Sequence, residues 1–272
     1  NVALVGNALS ITDSTNDSTD TLSISYDAAT NTYTIQETAN TALVLNTTGL
    51  TNAQVTRPNA QTVVIDANQI TGGITSLTID TTGPDTTTPG VENDDTVTVS
   101  TSNGSLGLSG DITITADDVV FAANAQIDQS AGSGGVIVNA DRAIAMNAGS
   151  GITTNDGAVT LTATGNGDGG FVGIELSDAD ITTTSGNIVL TGEGADSGTG
   201  SFRHGVLLAG GSTVTSTDGN VTLAGLGSGD TDDNDHHGVV LADAGTRVAS
   251  TNGTVTLDGT GACVVVGPNG AG

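Results

Sequence analysis

A passage that recurs along the chain limits what this protein can fold into. Gly186-Asn187-Ile188-Val189-Leu190-Thr191-Gly192 returns as Gly219-Asn220-Val221-Thr222-Leu223-Ala224-Gly225. It returns again as Gly253-Thr254-Val255-Thr256-Leu257-Asp258-Gly259, and Gly157-Ala158-Val159-Thr160-Leu161 prefigures it. Internal repetition of this kind implies a stack of like units, each leaning on its neighbours, not a single globule.

Each unit carries three short apolar segments. One reads Val206-Leu207-Leu208, Ser212-Thr213-Val214-Thr215 and Val221-Thr222-Leu223. The next reads Val239-Val240-Leu241, Thr246-Arg247-Val248 and Val255-Thr256-Leu257. Earlier units follow the same plan back to Val63-Val64-Ile65, Ile70 and Leu77-Thr78-Ile79. Within a segment the apolar residues sit two apart, so they share one face of a strand. The 40 Gly, with abundant Asn, Asp, Ser and Thr, supply the turns between them. No window shows helical spacing, and Gly and Thr are too frequent for helices. The expected fold is all-β: a right-handed parallel β-helix of three-strand coils, with about seven to eight rungs. Hydrophobic residues make up 35% of the chain, mostly Val, Ile, Leu and Ala, whereas aromatics make up 2%. Small β-branched residues suit thin, repetitive strands.

Residues 1–60 fit the repeat poorly and read as an N-terminal β-rich cap or assembly region. Leu22 to Tyr26 and Tyr33 to Gln36 alternate as strands around the turn Asp27 to Thr32, a β-hairpin. The short run Leu43-Val44-Leu45 is a further candidate strand of the cap. Residues 61–272 read as the β-helix. The third residue of each first segment runs Ile65, Val99, Phe121, Met146, Leu176, Leu208, Leu241, Val266. Its spacing varies because one corner varies, most of all at 80–96, 191–205 and 224–238. Insertions gathered on one edge mark that edge for recognition, or reflect only that loops tolerate insertion there. Val264-Val265-Val266 begins a last coil that stays incomplete, and an open coil exposes strand edges. Cys263, Val264 and Val266 are therefore candidate assembly residues, for head-to-tail contact or for continuation in a longer chain. The start at Asn1, without Met or a charged leader, suggests a processed end or a piece of something longer.

Formal net charge is −26, with four Arg and no Lys. Nucleic acid is excluded as a partner, because phosphates need a basic footprint. Anionic membrane surfaces are excluded on the same ground, and no apolar run reaches the roughly 20 residues that span a bilayer. The single Cys263 rules out an intrachain disulfide.

Candidate chemistry is sparse. Asp230, Asp232, Asp233, Asn234 and Asp235 gather hard oxygen ligands in one loop, a composition that suits Ca²⁺. They lack the spacing and terminal Glu of an EF-hand. His204 and His237 each precede a Gly-Val that opens a coil, so they should stack one rung apart, with His236 beside them. Such a pair is a candidate transition-metal site without a third ligand. Thr and Ser recur on successive second strands, from Ile181 to Thr184, Val214 to Thr217 and Val248 to Thr251. Ice-binding β-helices carry flatter and more regular Thr arrays than these. Asp178 and Asp180 are the one candidate catalytic carboxylate pair, but turns carry Asp in any case. Arg57, Arg142, Arg203 and Arg247 are scattered, and few aromatics are present to line a sugar cleft. The residues therefore name no catalytic set.

The Gly-Asn-Ile-Val-Leu-Thr-Gly motif and Gly238-Val239-Val240-Leu241-Ala242-Asp243-Ala244-Gly245-Thr246-Arg247-Val248 resemble giant repetitive bacterial surface proteins. Filamentous-haemagglutinin-like adhesins and autotransporter passenger stalks are the nearest kinds. The resemblance spans about residues 110–266. It implies an extracellular, secreted or cell-surface structural β-solenoid, a component of a fibre, stalk or adhesin and not an enzyme. Self-association or carbohydrate binding would be its interactions, and membrane insertion would not. A polysaccharide lyase or hydrolase, or a calcium-dependent binding module, is the alternative on the same scaffold.

Overall fold

The computed structural model of the protein describes residues 1–12, 20–38, 46–82, 95–166, 170–195, 203–228, 236–261 and 263–265. Among them the chain is all-β, with one 3-10 turn at Ala67–Gln69 and no α-helix. The first strands are β1 (Val2–Val5), β2 (Ala8–Thr12), β3 (Thr21–Asp27), β4 (Thr32–Glu37), β5 (Thr47–Thr48), β6 (Val55–Asn59), β7 (Thr62–Asp66), β8 (Ser76–Asp80) and β9 (Thr96–Ser102). The middle of the chain forms β10 (Ile112–Phe121), β11 (Gln126–Gln129), β12 (Val136–Met146), β13 (Gly151–Thr154), β14 (Val159–Ala163), β15 (Ile174–Ser177) and β16 (Asp180–Thr183). The remainder forms β17 (Ile188–Glu193), β18 (Val206–Ala209), β19 (Thr213–Ser216), β20 (Val221–Leu226), β21 (Val239–Leu241), β22 (Arg247–Ser250), β23 (Val255–Thr260) and β24 (Cys263–Val265).

Most of these strands fall into three parallel ladders. The first runs β3, β9, the second half of β10, the second half of β12, β15, β18, β21, β24. The second runs β11, β13, β16, β19, β22 and starts from a bridge between Leu106 and Ile127. The third runs β2, β8, the first half of β10, the first half of β12, β14, β17, β20, β23. Neighbours in such ladders lie about 4.8 Å apart. Equivalent residues of successive repeats therefore stand over one another, as in Val159, Ile188, Val221, Val255.

The core follows from this register. Val136, Val138, Val159, Leu161, Ile188, Leu190, Val221 and Leu223 of the third ladder are fully buried. So are Ile144, Ile174, Leu176, Val206 and Leu208 of the first, and Ile152, Ile181 and Val214 of the second. All belong to one continuous cluster. Burying each such side chain contributes about 1.5–3 kcal/mol before chain entropy is subtracted.

The recurring glycines are fixed by close approach. A Cβ on Gly157 would collide with the carbonyl oxygen of Gly134, and Gly186 and Gly219 stand in the same relation to Gly157 and Gly186. A buried hydroxyl three residues earlier secures each of these turns. Thr183 Oγ1 donates to the Gly186 carbonyl at 2.6 Å. Ser216 Oγ accepts from the Gly219 amide at 2.9 Å and donates back to the Gly186 carbonyl at 3.2 Å. Ser250 repeats that arrangement with Gly253 and Gly219. The Asn after the glycine bonds between repeats: Asn187 Oδ1 accepts from the Asn220 amide, and Asn220 Oδ1 from the Thr254 amide, both at 2.8 Å. The repeat motif is thus a set of turn contacts with one apolar strand attached.

The N-terminal hairpin is present as expected, β3 and β4 pairing antiparallel with Ile24 opposite Ile35. Asp27 closes its turn by accepting from the Ala29 amide and from Asn103 Nδ2. The Asn103 hydrogen bond is the main reason its carboxyl titrates below the usual range. Tyr33 packs against Tyr26, ring centroids 4.8 Å apart. Burial pushes its phenol well above the ordinary tyrosine range.

Two expectations are corrected here. Val63-Val64-Ile65 does not open the first parallel unit. It lies in β7, antiparallel to β4 and to β6. Leu22 and Ile24 of β3 hold the place beside Val97 and Val99 instead. An alternating apolar pattern sets which face is buried but carries no strand direction, and both segments share the pattern. The last strand is also one residue earlier than expected: Cys263, Val264 and Val265 pair with Val239, Val240 and Leu241. A run of three valines has no alternation to fix the register. Where the corner loop is short, at Thr115 to Asp118, no loop forms at all. β10 passes from the third ladder to the first with a register shift between Ala116 and Asp118. The candidate strand Leu43-Val44-Leu45 lies outside the described residues.

Candidate functional site

The corner that leads into the first ladder gathers the unusual side chains. Its members occupy neighbouring register positions at or just before the start of β3, β9, the second halves of β10 and β12, β15, β18 and β21. At the N-terminal end the position is acidic. The Asp20 amide donates to Asp95 Oδ1 and the Asp95 amide to Asp117 Oδ2, each at 2.7 Å. One level further Arg142 reaches back to Asp118, Nη2 to Oδ2 at 2.7 Å. The Arg142 guanidinium also lies over the Phe171 ring, 5.6 Å from its centroid, within cation–π range.

Beyond Phe171 the corner turns basic. Val206 and Val239 are paired, so Arg203 and His236 hold one shared position and His204 and His237 the next. The His204 and His237 rings stack, 5.3 Å between centroids and 3° between planes. The His237 amide donates to His204 Nδ1 at 3.2 Å. Arg203 is 1% exposed. Its amide donates to His236 Nδ1 and its Nη2 lies 3.3 Å from His236 Nε2, the amide contact also measuring 3.3 Å. A neutral imidazole offers one acceptor nitrogen and one N–H, while guanidinium only donates. His236 therefore serves either the Arg203 backbone or its side chain, according to tautomer.

The stacking of His204 and His237 agrees with the expectation from sequence. The role of Arg203 was not visible there, because Arg203 and His236 are different residue types at one register position. Counting back three residues from Val206 and Val239 would have joined them. Two parallel rings present their edges side by side, whereas nitrogens on one ion must converge at about 2.0–2.1 Å from it. Among the described residues no three His, Cys, Asp or Glu side chains gather as a metal-binding group.

The remaining candidates are dispersed. Asp230, Asp232, Asp233, Asn234 and Asp235 lie outside the described residues, as does Val266. Cys263 and Val264 stand on β24, beside β21. Asp180 is engaged in the second ladder, where its Oδ1 accepts from the Thr213 amide and hydroxyl at 3.1 and 2.6 Å. Asp178 takes the left-handed conformation of a turn, φ 54°. The outward Thr182 and Thr215 hydroxyls lie 3.4 Å apart on adjacent strands; Thr153 extends that row by one strand, and Asp128 and Ala249 end it. Comparison with protein-family models, with curated proteins and with solved structures finds no match.

Proposed function

We propose that this chain is a right-handed parallel β-helix with a structural role, a rod segment of an extracellular surface fibre, stalk or adhesin, without enzymatic activity. The observation that carries the reading is the unbroken register of three parallel ladders. Equivalent Val, Ile and Leu residues, turn glycines and buried hydroxyls recur level after level. That is how a stack of short units builds length. The side chains with most chemical capacity support it too. Asp180 is spent on a ladder contact, and Arg142 and Arg203 on contacts between levels. The surface location in this proposal is drawn from the acidic, lysine-free composition and from the resemblance of the repeat motifs to haemagglutinin-type and autotransporter-type proteins.

Electron microscopy of the purified protein in its native setting tests this reading. Rods or filaments with diffraction at a rung spacing of about 4.8 Å are expected. A compact particle without that spacing overturns the reading. Turnover of an acidic polysaccharide, abolished by Asp180→Asn, would replace it with an enzyme. Melting that shifts with calcium and reverses with chelator would favour a calcium-dependent module.

A further inference from the structure

An Asn followed by Gly can react with its own backbone, because glycine puts no side chain between the Asn Cγ and the next amide nitrogen. The pair stands at 103–104, 166–167, 252–253 and 269–270. Only at 103–104 and 252–253 are both residues described, and the fold treats these two pairs differently.

Asn103 and Gly104 follow β9, beside the tip of the N-terminal hairpin, and both are exposed. Both take positive φ, 57° and 141°, a conformation that Asn tolerates and Gly adopts freely. A Cβ on Gly104 would lie 2.8 Å from the Ala28 Cβ, so the turn has no room for a side chain there. Asn103 Nδ2 donates to Asp27 Oδ1 at 3.1 Å, whereas the Gly104 amide has no acceptor among the described residues. At 252–253 the amide is engaged. Gly253 N–H donates to Ser250 Oγ at 2.9 Å, and Ser250 Oγ donates onward to the Gly219 carbonyl at 2.7 Å. Asn252 Nδ2 donates to Asp218 Oδ1 at 2.6 Å. Ring closure at 252–253 must break a hydrogen bond of the attacking nitrogen. At 103–104 it breaks none there.

We propose that Asn103–Gly104 is a site of spontaneous deamidation, with water as the only co-reactant. The Gly104 nitrogen bonds to Asn103 Cγ and the Cγ–Nδ2 bond breaks. Nδ2 leaves as ammonia, taking up the proton that the Gly104 amide gives away. Water then opens the cyclic imide. Opening at Cγ leaves an aspartate, and opening at the main-chain carbonyl leaves an isoaspartate, with the chain rerouted through the side chain. Neither ionised product can donate to Asp27, and a second carboxylate beside Asp27 repels it. The lost contact matters to the fold, since Asp27 pairs with Ser102 and the Ala28 amide donates to the Ser102 carbonyl at 3.0 Å. The modification therefore falls on the seam between the hairpin and the first ladder. It requires nothing of the rod reading.

Peptide mapping by mass spectrometry, on the 272-residue protein aged in mildly alkaline buffer, measures amide-to-acid exchange at each Asn. Conversion at Asn103 should outrun that at Asn252 by tenfold or more, about 1.4 kcal/mol of barrier. It should quicken as pH rises, because the attacking nitrogen must lose its proton. In urea, where neither turn persists, the two sites should convert at like rates. Ser250→Ala, checked for folding by circular dichroism, releases the Gly253 amide and should speed Asn252. Asn103→Asp, which carries the charge of the product, should lower the melting temperature at neutral pH and lose that deficit in acid. Asn103 left intact, or both sites converting alike in the folded protein, overturns the inference. So does a preference for Asn103 that persists in urea, since sequence and not the turn would then choose the site.

Discussion

Gly219 stands over Gly186 so closely that a Cβ on Gly219 would collide with the Gly186 carbonyl oxygen. The neighbour is backbone and is itself bonded to Ser216, so it has little room to yield. Gly219→Ala should therefore destabilise the chain by about 1–3 kcal/mol or more, as overpacking does. Urea unfolding gives the value. A midpoint equal to that of the parent protein would show that the turn column is looser than described.

Thr183 and Thr182 are neighbours with opposite duties. Thr183 is 1% exposed and donates to the Gly186 carbonyl, while Thr182 faces outward. Thr183→Val should cost about 0.5–1.5 kcal/mol, since the buried Gly186 carbonyl loses one of its two hydroxyl donors and keeps the one from Ser216. Thr182→Val should stay within about 0.5 kcal/mol of the parent. Thermal melts of the two variants decide the matter, and equal losses would contradict it.

Position in the ladder sets the cost of truncating an apolar residue. Leu190 is fully buried between Leu161 and Leu223. Leu190→Ala should cost about 2–5 kcal/mol. Leu257→Ala, at a side chain 37% exposed, should cost clearly less. Chemical denaturation at low protein concentration compares them.

Alkaline pH should act through Tyr33. Burial raises its phenol above the ordinary value of 10.0, so the folded state holds a proton that the unfolded state gives up first. The stabilisation is complete below that value and is lost as pH rises beyond it. Stability measured across this range should fall, and Tyr33→Phe should flatten the fall. Tyrosinate absorbance that appears at the ordinary pH with no loss of structure would count against this packing.

The strands were legible because apolar residues two apart leave a plain signature, as at Val221 and Leu223. The glycine column was legible as a motif, although its cause, contact with the preceding carbonyl, needed coordinates. Direction was not legible, so β7 passed for a parallel strand when it runs against β4. Register failed at Cys263–Val265 for want of alternation. At the corner, His204 and His237 were found by their shared Gly-Val, whereas Arg203 and His236 share a place without sharing a chemistry. Stacking compares positions, and sequence reading compares letters.

A chain of near-copies faces the hazard of threading out of step, since β14 could satisfy its apolar face against β20 as readily as against β17. The corner column answers that hazard. Asp118, Arg142, Phe171, Arg203 and His236 follow one another without repetition. A unit shifted by one level would part Arg142 from Asp118 and set Arg203 away from its imidazole. The corner works as an address written beside each floor, so that identical floors assemble in one sequence.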